Sequence, residues 1–280
     1  MQGARCLNPN GLIFKSKIMK SEIMKLGITL VQYAPHWEEV QLNLSRLDDM
    51  LQPLAGKTDL IVLGEMFPTG FSMNTGKICS HENSATALQW MQQQSRSTGA
   101  MIVGTLAVTE GIHYYNRFYW VSPNGDAGYY DKRHLFTMGD EPQHYTAGAE
   151  RKQFERCGWQ IKPIVCYDLR FPEWCRTNRT RPYDLLICAA SWPSVRSDVW
   201  LTLLKARAIE NQCYVVGANR VGADGNGLQH TGDSVVYGPK GETIGRIPEN
   251  EEAVASFELS YSELHDFRRK FPVLEDMEAV

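Results

Sequence analysis

Two short apolar runs set the tightest limit on what this 280-residue chain can fold into: DLIVL at 59–63 and DLLICA at 184–189. A continuous run of five or six such residues does not alternate, so a strand built from it buries both faces. Strands of that kind lie inside a sheet covered on each side. Around them the period changes. Val40, Leu44, Leu47 and Leu51 recur at helical spacing within 36–54, and similar patterns predict helices over 84–98, stopped by Gly99, and over 197–211. Strands are expected at 26–32, 100–108, 114–121, 128–130, 159–166, 214–219 and 253–259, with a hairpin joining 233–237 to 243–247. A helix begins near Phe171 with Pro172 in its first turn, and a charged helical tail ends the chain. Strands alternating with helices, plus adjacent-strand hairpins, predict an α/β fold with one mixed sheet or two packed sheets. No Pro/Ser-rich linker interrupts 25–265, so one domain is expected at 25–280 with its C-terminal tail, and 1–24 reads as an extension outside the fold. The likeness of DLIVLGEMF to DLLICAASW is read as shared strand composition rather than internal symmetry.

Composition removes several classes of function. Lys plus Arg is 29 and Asp plus Glu is 32, a net charge of −3, without the basic stripe that nucleic-acid binding requires. No apolar run approaches the ~18 residues of a membrane span. The cysteines number seven, widely spaced and with no CxxC pair, which reads as reduced thiols in a cytoplasmic protein. The segment GLIF near the start is too short for a signal peptide and lacks a small-residue cleavage site. No metal or cofactor is expected. His134, His144 and a Cys match no zinc spacing, and no peptidase signature surrounds Cys166. GADGNG at 222–227 lacks a following GK[ST] and reads as a glycine-rich connection.

Three residues stand at strand ends. Cys166 follows the apolar strand of KPIVCYDLRFPEW, where the turn into a helix holds a thiol rigidly and the helix end would lower its pKa from ~8.5. Glu65 closes DLIVLG and opens EMFPTGFSMN; a carboxylate at the end of a buried strand is costly without a partner or a role. Lys132 sits in GYYDKRHLF, flanked by Asp131 and Arg133, which read as solvated. Each has a plain reading by itself: a core cysteine, a strand-end carboxylate, a solvated lysine. Cys79, Cys157, Cys175, Cys188 and Cys213 read as core cysteines.

The ordered set GEMFPTGFS, YDKRHLF and CYDLRFPEW resembles the nitrilase superfamily, the carbon–nitrogen hydrolases, over about 26–271. TGFSMN, ASWP, KARAIENQCYVVGANRVG and DGNG make the chain most similar to its ω-amidase branch. Gly64 stands where many relatives carry Pro, and a local backbone change is expected there. The resemblance implies a four-layer α-β-β-α sandwich and a homodimer. It implies a cofactor-free amidase acting through a cysteine thioester on short dicarboxylic acid monoamides. A nitrilase, an N-carbamoyl hydrolase or a non-catalytic binding relative are the alternatives.

By the same resemblance Cys166 is the nucleophile, Glu65 the general base, and Lys132 with the Tyr167 backbone N–H the oxyanion donors. Glu141, in MGDEPQHY, matches a second glutamate beside them and is open to two roles, positioning substrate or positioning Lys132. Arg170, Trp192, Arg196 and Phe71 are placed in the substrate pocket. From the sequence alone Arg170 fits equally an ion pair with Asp168 or Glu173, Arg196 a surface residue, and Phe71 and Trp192 plain core aromatics. Two arginines suit a substrate with a carboxylate at the end opposite its amide.

Overall fold

A computed structural model describes residues 25–278, so the reading of 1–24 lies outside the described residues. The strands run in chain order as β1 (Lys25–Gln32), β2 (Leu60–Val62), β3 (Met101–Glu110), β4 (His113–Val121), β5 (Ala127–Asp131), β6 (Phe154–Arg156) and β7 (Trp159–Val165). They continue as β8 (Leu185–Ala189), β9 (Tyr214–Ala218), β10 (Val221–Ala223), β11 (Gln229–Thr231), β12 (Val235–Tyr237), β13 (Thr243–Arg246) and β14 (Ala253–Ser260). The helices are α1 (Val40–Leu51), α2 (Thr75–Ile78), α3 (His81–Thr98), α4 (Glu141–His144), α5 (Pro172–Cys175), α6 (Ser197–Asn211) and α7 (Tyr261–Lys270).

Two six-stranded mixed sheets form, ordered β14-β1-β2-β3-β4-β5 and β13-β12-β9-β8-β7-β6. Each has a parallel trio at its heart, β1-β2-β3 in one and β7-β8-β9 in the other, flanked by antiparallel strands. The two apolar runs become β2 and β8, the middle strands of the two trios. Their likeness therefore has a topological counterpart, which corrects its reading as composition alone.

The first sheet shows why such strands need two covers. Leu26, Ile28, Leu30, Leu60, Val62, Met101 and Val103 face the second sheet and share a core with its Ile161, Val165, Leu185 and Ile187. The alternate residues Val31, Ile61, Leu63, Ile102 and Leu106 face outward. There they pack under Leu44, Leu47 and Leu51 of α1 and Trp90 and Met91 of α3. Trp200, Leu204 and Ala208 of α6 cover the far side of the second sheet. The result is the four-layer α-β-β-α sandwich.

Several boundaries move. α1 starts at Val40 rather than 36, because His36 is turned back by hydrogen bonds with the Asn43 side chain. α3 starts at His81, where the Ser80 side chain accepts from the Asn83 N–H, and ends on Gly99 in the left-handed conformation. The helix expected after Phe171 is only the single turn α5. Among the elements with no counterpart in the sequence reading are β6, the small hairpin β10–β11 around GADGNG, and the single-turn α2 and α4. Cys79, Cys175, Cys188 and Cys213 are buried, but Cys157 is only half-buried, in the β6–β7 turn at φ 52°. α7 docks on its own chain through Arg268, which donates to Asp184 and to the Tyr183 carbonyl.

Trp159 is fully buried between the sheets, with its ring 5.4 Å from Tyr261 and 5.7 Å from Tyr214. Trp159→Ala is expected to lower stability by about 3–5 kcal/mol in urea unfolding. Its indole N–H has no hydrogen-bond partner among the described residues, so Trp159→Phe should cost far less. Equal losses for the two would contradict this picture of the core.

Candidate active site

The parallel strands β2, β7 and β8 end at one edge of the sandwich, and β5, two antiparallel steps from β3, ends there too. This is where open α/β sheets place their ligands, outside the carboxyl ends of the strands. Glu65 follows β2, Lys132 follows β5, Cys166 follows β7, and Ser191 follows β8. The Glu65 N–H donates to the Ala190 carbonyl at 3.3 Å and the Ser191 N–H donates to Glu65 Oε2 at 2.9 Å, so the two sheets are joined at this edge.

Lys132 Nζ lies 2.8 Å from Glu65 Oε1, 2.8 Å from Glu141 Oε2 and 3.0 Å from Glu141 Oε1. All three side chains are fully buried. Asn116 of β4 ties the carboxylates together, its amide donating to Glu65 Oε1 at 2.8 Å and to Glu141 Oε1 at 3.1 Å. The Phe136 N–H donates to Glu141 Oε2 at 2.6 Å. Burial alone would push the Lys132 ammonium down, but the charges of Glu141 and Glu65 outweigh it and hold the pKa above the usual lysine value. Burial raises the Glu141 carboxyl above its ordinary range, against the pull of Lys132. Glu141 is thus no surface residue. It occupies α4, whose single turn aims the carboxylate inward at Lys132.

Cys166 sits at φ 43°, a left-handed turn directly after β7. Its residue is half-buried, with the sulfur 3.9 Å from the Ser191 carbonyl and within hydrogen-bonding reach of Glu65. Desolvation of the sulfur, reinforced by the Glu65 charge, pushes the thiol well above its usual pKa, although Lys132 pulls it down. This corrects the lowered pKa expected from the strand-to-helix turn. Two carboxylates face one ammonium around the sulfur, so a thiolate would add a further negative charge to a site already short of cations. Burial and the Glu65 charge both favour the thiol over the thiolate. The N–H groups of Tyr167 and its neighbours open a short 3-10 turn, 166–170, where an N–H has no carbonyl behind it in the turn.

Asp168 fixes that turn. Its Oδ2 accepts from the Val165 N–H at 3.0 Å and from the Tyr130 hydroxyl at 2.7 Å, and its Oδ1 accepts from the His134 N–H at 2.9 Å. Those bonds join the loop after Lys132 to the loop carrying Cys166. They also leave Asp168 no place for Arg170. Asp131, expected to be solvated, is half-buried in an ion pair with Arg117 at 2.6 Å, whereas Arg133 is exposed as expected. Gly64 has no left-handed φ, and a Cβ there would meet only the Ala190 carbonyl at 3.4 Å; the expected local change leaves no mark in its conformation.

In front of the sulfur lies a cavity of about 240 Å³. Phe71, Tyr167, Arg170, Trp192 and Arg196 line it together with Cys166. The Arg170 guanidinium rests 5.1 Å from the Trp192 ring and that of Arg196 5.7 Å from the Phe136 ring. Neither arginine forms an ion pair among the described residues. The Phe71 ring stands 5.0 Å from Lys132 Nζ. Sequence reasoning missed the β10–β11 side of this cavity, where Asp224, Asn226, Leu228 and His230 contribute. Asp224 is spent on its own loop, accepting from the Asn226 and Leu228 N–H groups at 2.9 Å. His230 is buried and pushed down to about 4 by desolvation and by Arg220, so its ring is neutral near pH 7. Its Nδ1 donates to the Leu228 carbonyl at 3.0 Å, which leaves Nε2 to accept from the Ser191 hydroxyl at 3.3 Å. Among the described residues no group of His, Cys, Asp and Glu is arranged to hold a metal ion.

This arrangement gathers a thiol, a carboxylate and an ammonium at one edge, facing a cavity whose two arginines form no ion pair among the described residues, which suits acyl transfer to a thiol. The ultraviolet thiolate absorbance that distinguishes the protein from Cys166→Ser should appear only above the ordinary thiol pKa of ~8.5. Glu65→Gln removes the negative neighbour and should move that transition to lower pH. A transition below the ordinary value in the unmutated protein would contradict the electrostatic picture.

Comparison with known proteins points the same way. The carbon-nitrogen hydrolase family pattern matches residues 27–269. The chain is 43% identical to omega-amidase YafV of Escherichia coli over 251 residues, covering 90% of this chain and 96% of that protein. It is 31% identical to the 2-oxoglutaramate amidase of Bacillus subtilis, covering 91% and 98%. The crystal structure of XC1258 from Xanthomonas campestris, a CN-hydrolase superfamily protein with an arsenic adduct in its active site, superposes with a TM-score of 0.88. Its identity is 40%, with 92% of this chain and 99% of that chain covered. With the family pattern spanning nearly all of the described fold, the chain belongs to the carbon–nitrogen hydrolases of the nitrilase superfamily and is an amidase.

Proposed function

We propose that this amidase hydrolyses the terminal amide of short dicarboxylic acid monoamides, such as 2-oxoglutaramate and 2-oxosuccinamate, to the acid and ammonia through a thioester on Cys166. The observation that carries the reading is the pair of arginines without ion pairs, Arg170 and Arg196, in the same cavity as the Cys166 sulfur. A bidentate grip on the far carboxylate by these guanidinium groups would present the amide end to the sulfur. The names of the relatives, omega-amidase and 2-oxoglutaramate amidase, support the same substrate class.

In this reading Glu65 takes the thiol proton as the sulfur adds to the amide carbon, so no free thiolate has to form in the buried site. The oxygen of the tetrahedral adduct takes its charge toward Lys132 Nζ and the Tyr167 N–H. Lys132 has three N–H donors; Glu65 takes one and Glu141 one or two, so at most one is left for the oxyanion. Glu65 then returns the proton to the departing ammonia. A water, deprotonated by Glu65, adds to the thioester carbonyl and releases the acid with the thiol restored. Glu141 is the positioning residue that holds Lys132 in place, and Trp192 and Phe71 close the cavity over the chain of the substrate. The reading also includes a cytoplasmic homodimer. Light scattering that finds only the 31.7 kDa monomer at micromolar concentration would contradict the dimer.

Cys166→Ala, Glu65→Gln and Lys132→Ala are each expected to abolish ammonia release, and double variants should lose no more than singles, since the residues act as a unit. Full activity in Cys166→Ala would end the proposal. A charge-assisted Arg–carboxylate contact contributes roughly 1.5–3 kcal/mol, or about 10- to 150-fold at ~1.4 kcal/mol per decade. Arg170→Ala and Arg196→Ala should lose kcat/KM to about that extent with 2-oxoglutaramate and little with a neutral monoamide. If neutral amides, nitriles or carbamoyl compounds are turned over as well as the monoamides, and neither variant discriminates, the substrate assignment fails while the cysteine chemistry can stand.

A further inference from the structure

A second cleft, of about 900 Å³, opens beside α5 and the loop that follows it. Its walls carry Arg151, Lys152, Lys162, Arg176, Arg179 and Arg181 against the two carboxylates Glu173 and Glu278. Lys152 is neutralised by Glu150. The other five cations form no ion pair among the described residues. Arg151 lies 4.6 Å from the Trp174 ring, and Arg176, Arg179 and Arg181 donate to neutral oxygens of Glu210, Met277 and Gln160. Such a concentration of uncompensated charge is out of character for a chain of net charge −3.

Lys162 is the decisive member. It belongs to β7, is only 4% exposed, and lines the cleft with no hydrogen bond or ion pair among the described residues; its ammonium lies 5.8 Å from the Tyr183 ring. Burial pushes its ammonium down to about 8, the cost expected of a lysine desolvated without a counter-ion. A structural lysine on a covered strand would be paired, and a solvated one would be exposed; Lys162 is neither.

We propose that this cleft is a binding site for a phosphoryl-bearing small molecule, with Lys162 as the point charge at its floor and Arg151, Arg176 and Arg181 as the surrounding forks. Cations on the separate segments that wall the cleft suit a tetrahedral dianion with three equivalent oxygens better than a planar carboxylate. The site is separate from the cavity in front of Cys166: no residue lines both.

The test is calorimetric titration of the full-length protein with inorganic phosphate and with pyrophosphate, at ionic strength held constant with sodium chloride. Saturable binding of at least one of the two is expected, with a matching rise in Tm. Lys162→Met, close in shape but uncharged, should weaken that binding at least tenfold while leaving amide hydrolysis within about twofold. Arg181→Ala, an exposed position, should weaken it as well and serves if Lys162→Met fails to fold. No saturable binding, affinity unchanged in both variants, or equal affinity for succinate would overturn the proposal.

Discussion

One ammonium between two buried carboxylates organises this edge of the molecule. Lys132 meets Glu65 and Glu141 at 2.8–3.0 Å with no solvent contact, and each member would be untenable there without the others. The price is a site with more negative than positive charge, and the charge of Glu65 adds to the desolvation that raises the Cys166 thiol. Glu65 bonds the lysine and its charge also acts on the sulfur, so one carboxylate is shared by both groups.

The sandwich supplies the geometry. Bringing Glu65, Lys132 and Cys166 together from the ends of β2, β5 and β7 needs two sheets held at fixed offset, because Glu65 and Lys132 come from one sheet and Cys166 from the other. The offset is fixed on the spot by the backbone of Ala190 and Ser191 at the end of β8, hydrogen-bonded across to Glu65. Asp168 adds a second tie, between the Cys166 turn and the loop after Lys132. The pseudo-equivalence of β2 and β8 places these facing strand ends at matching positions in their sheets.

Much of this was legible in the residues. Uninterrupted apolar runs specified doubly covered strands, and Val40, Leu44, Leu47 and Leu51 marked the buried face of α1. Glu65, Lys132, Cys166 and Glu141 come together as the ordered motifs implied, and Arg170, Trp192, Arg196 and Phe71 line the one cavity they face. What was not legible depends on depth and on partners distant in the chain. The local rule for a thiol at a turn lowers its pKa; the burial of the sulfur against Glu65, 101 positions away, reverses it. Asn116 looks like any polar residue in an alternating strand, and only the fold shows its amide shared between two glutamates. His230 lies on β11, just past a glycine-rich connection whose turn brings it over Ser191. Arg170 was open to a pairing with Asp168 until the fold filled both oxygens of that carboxylate.

The central claim is that amide cleavage passes through a covalent bond to the Cys166 sulfur. Mass spectrometry of the protein quenched during turnover of a monoamide tests it most directly. The account predicts an adduct on the peptide containing Cys166, heavier by the substrate's acyl group without its ammonia and removed by hydroxylamine. Steady turnover with no such adduct, in a protein whose Cys166 has been alkylated, would contradict it.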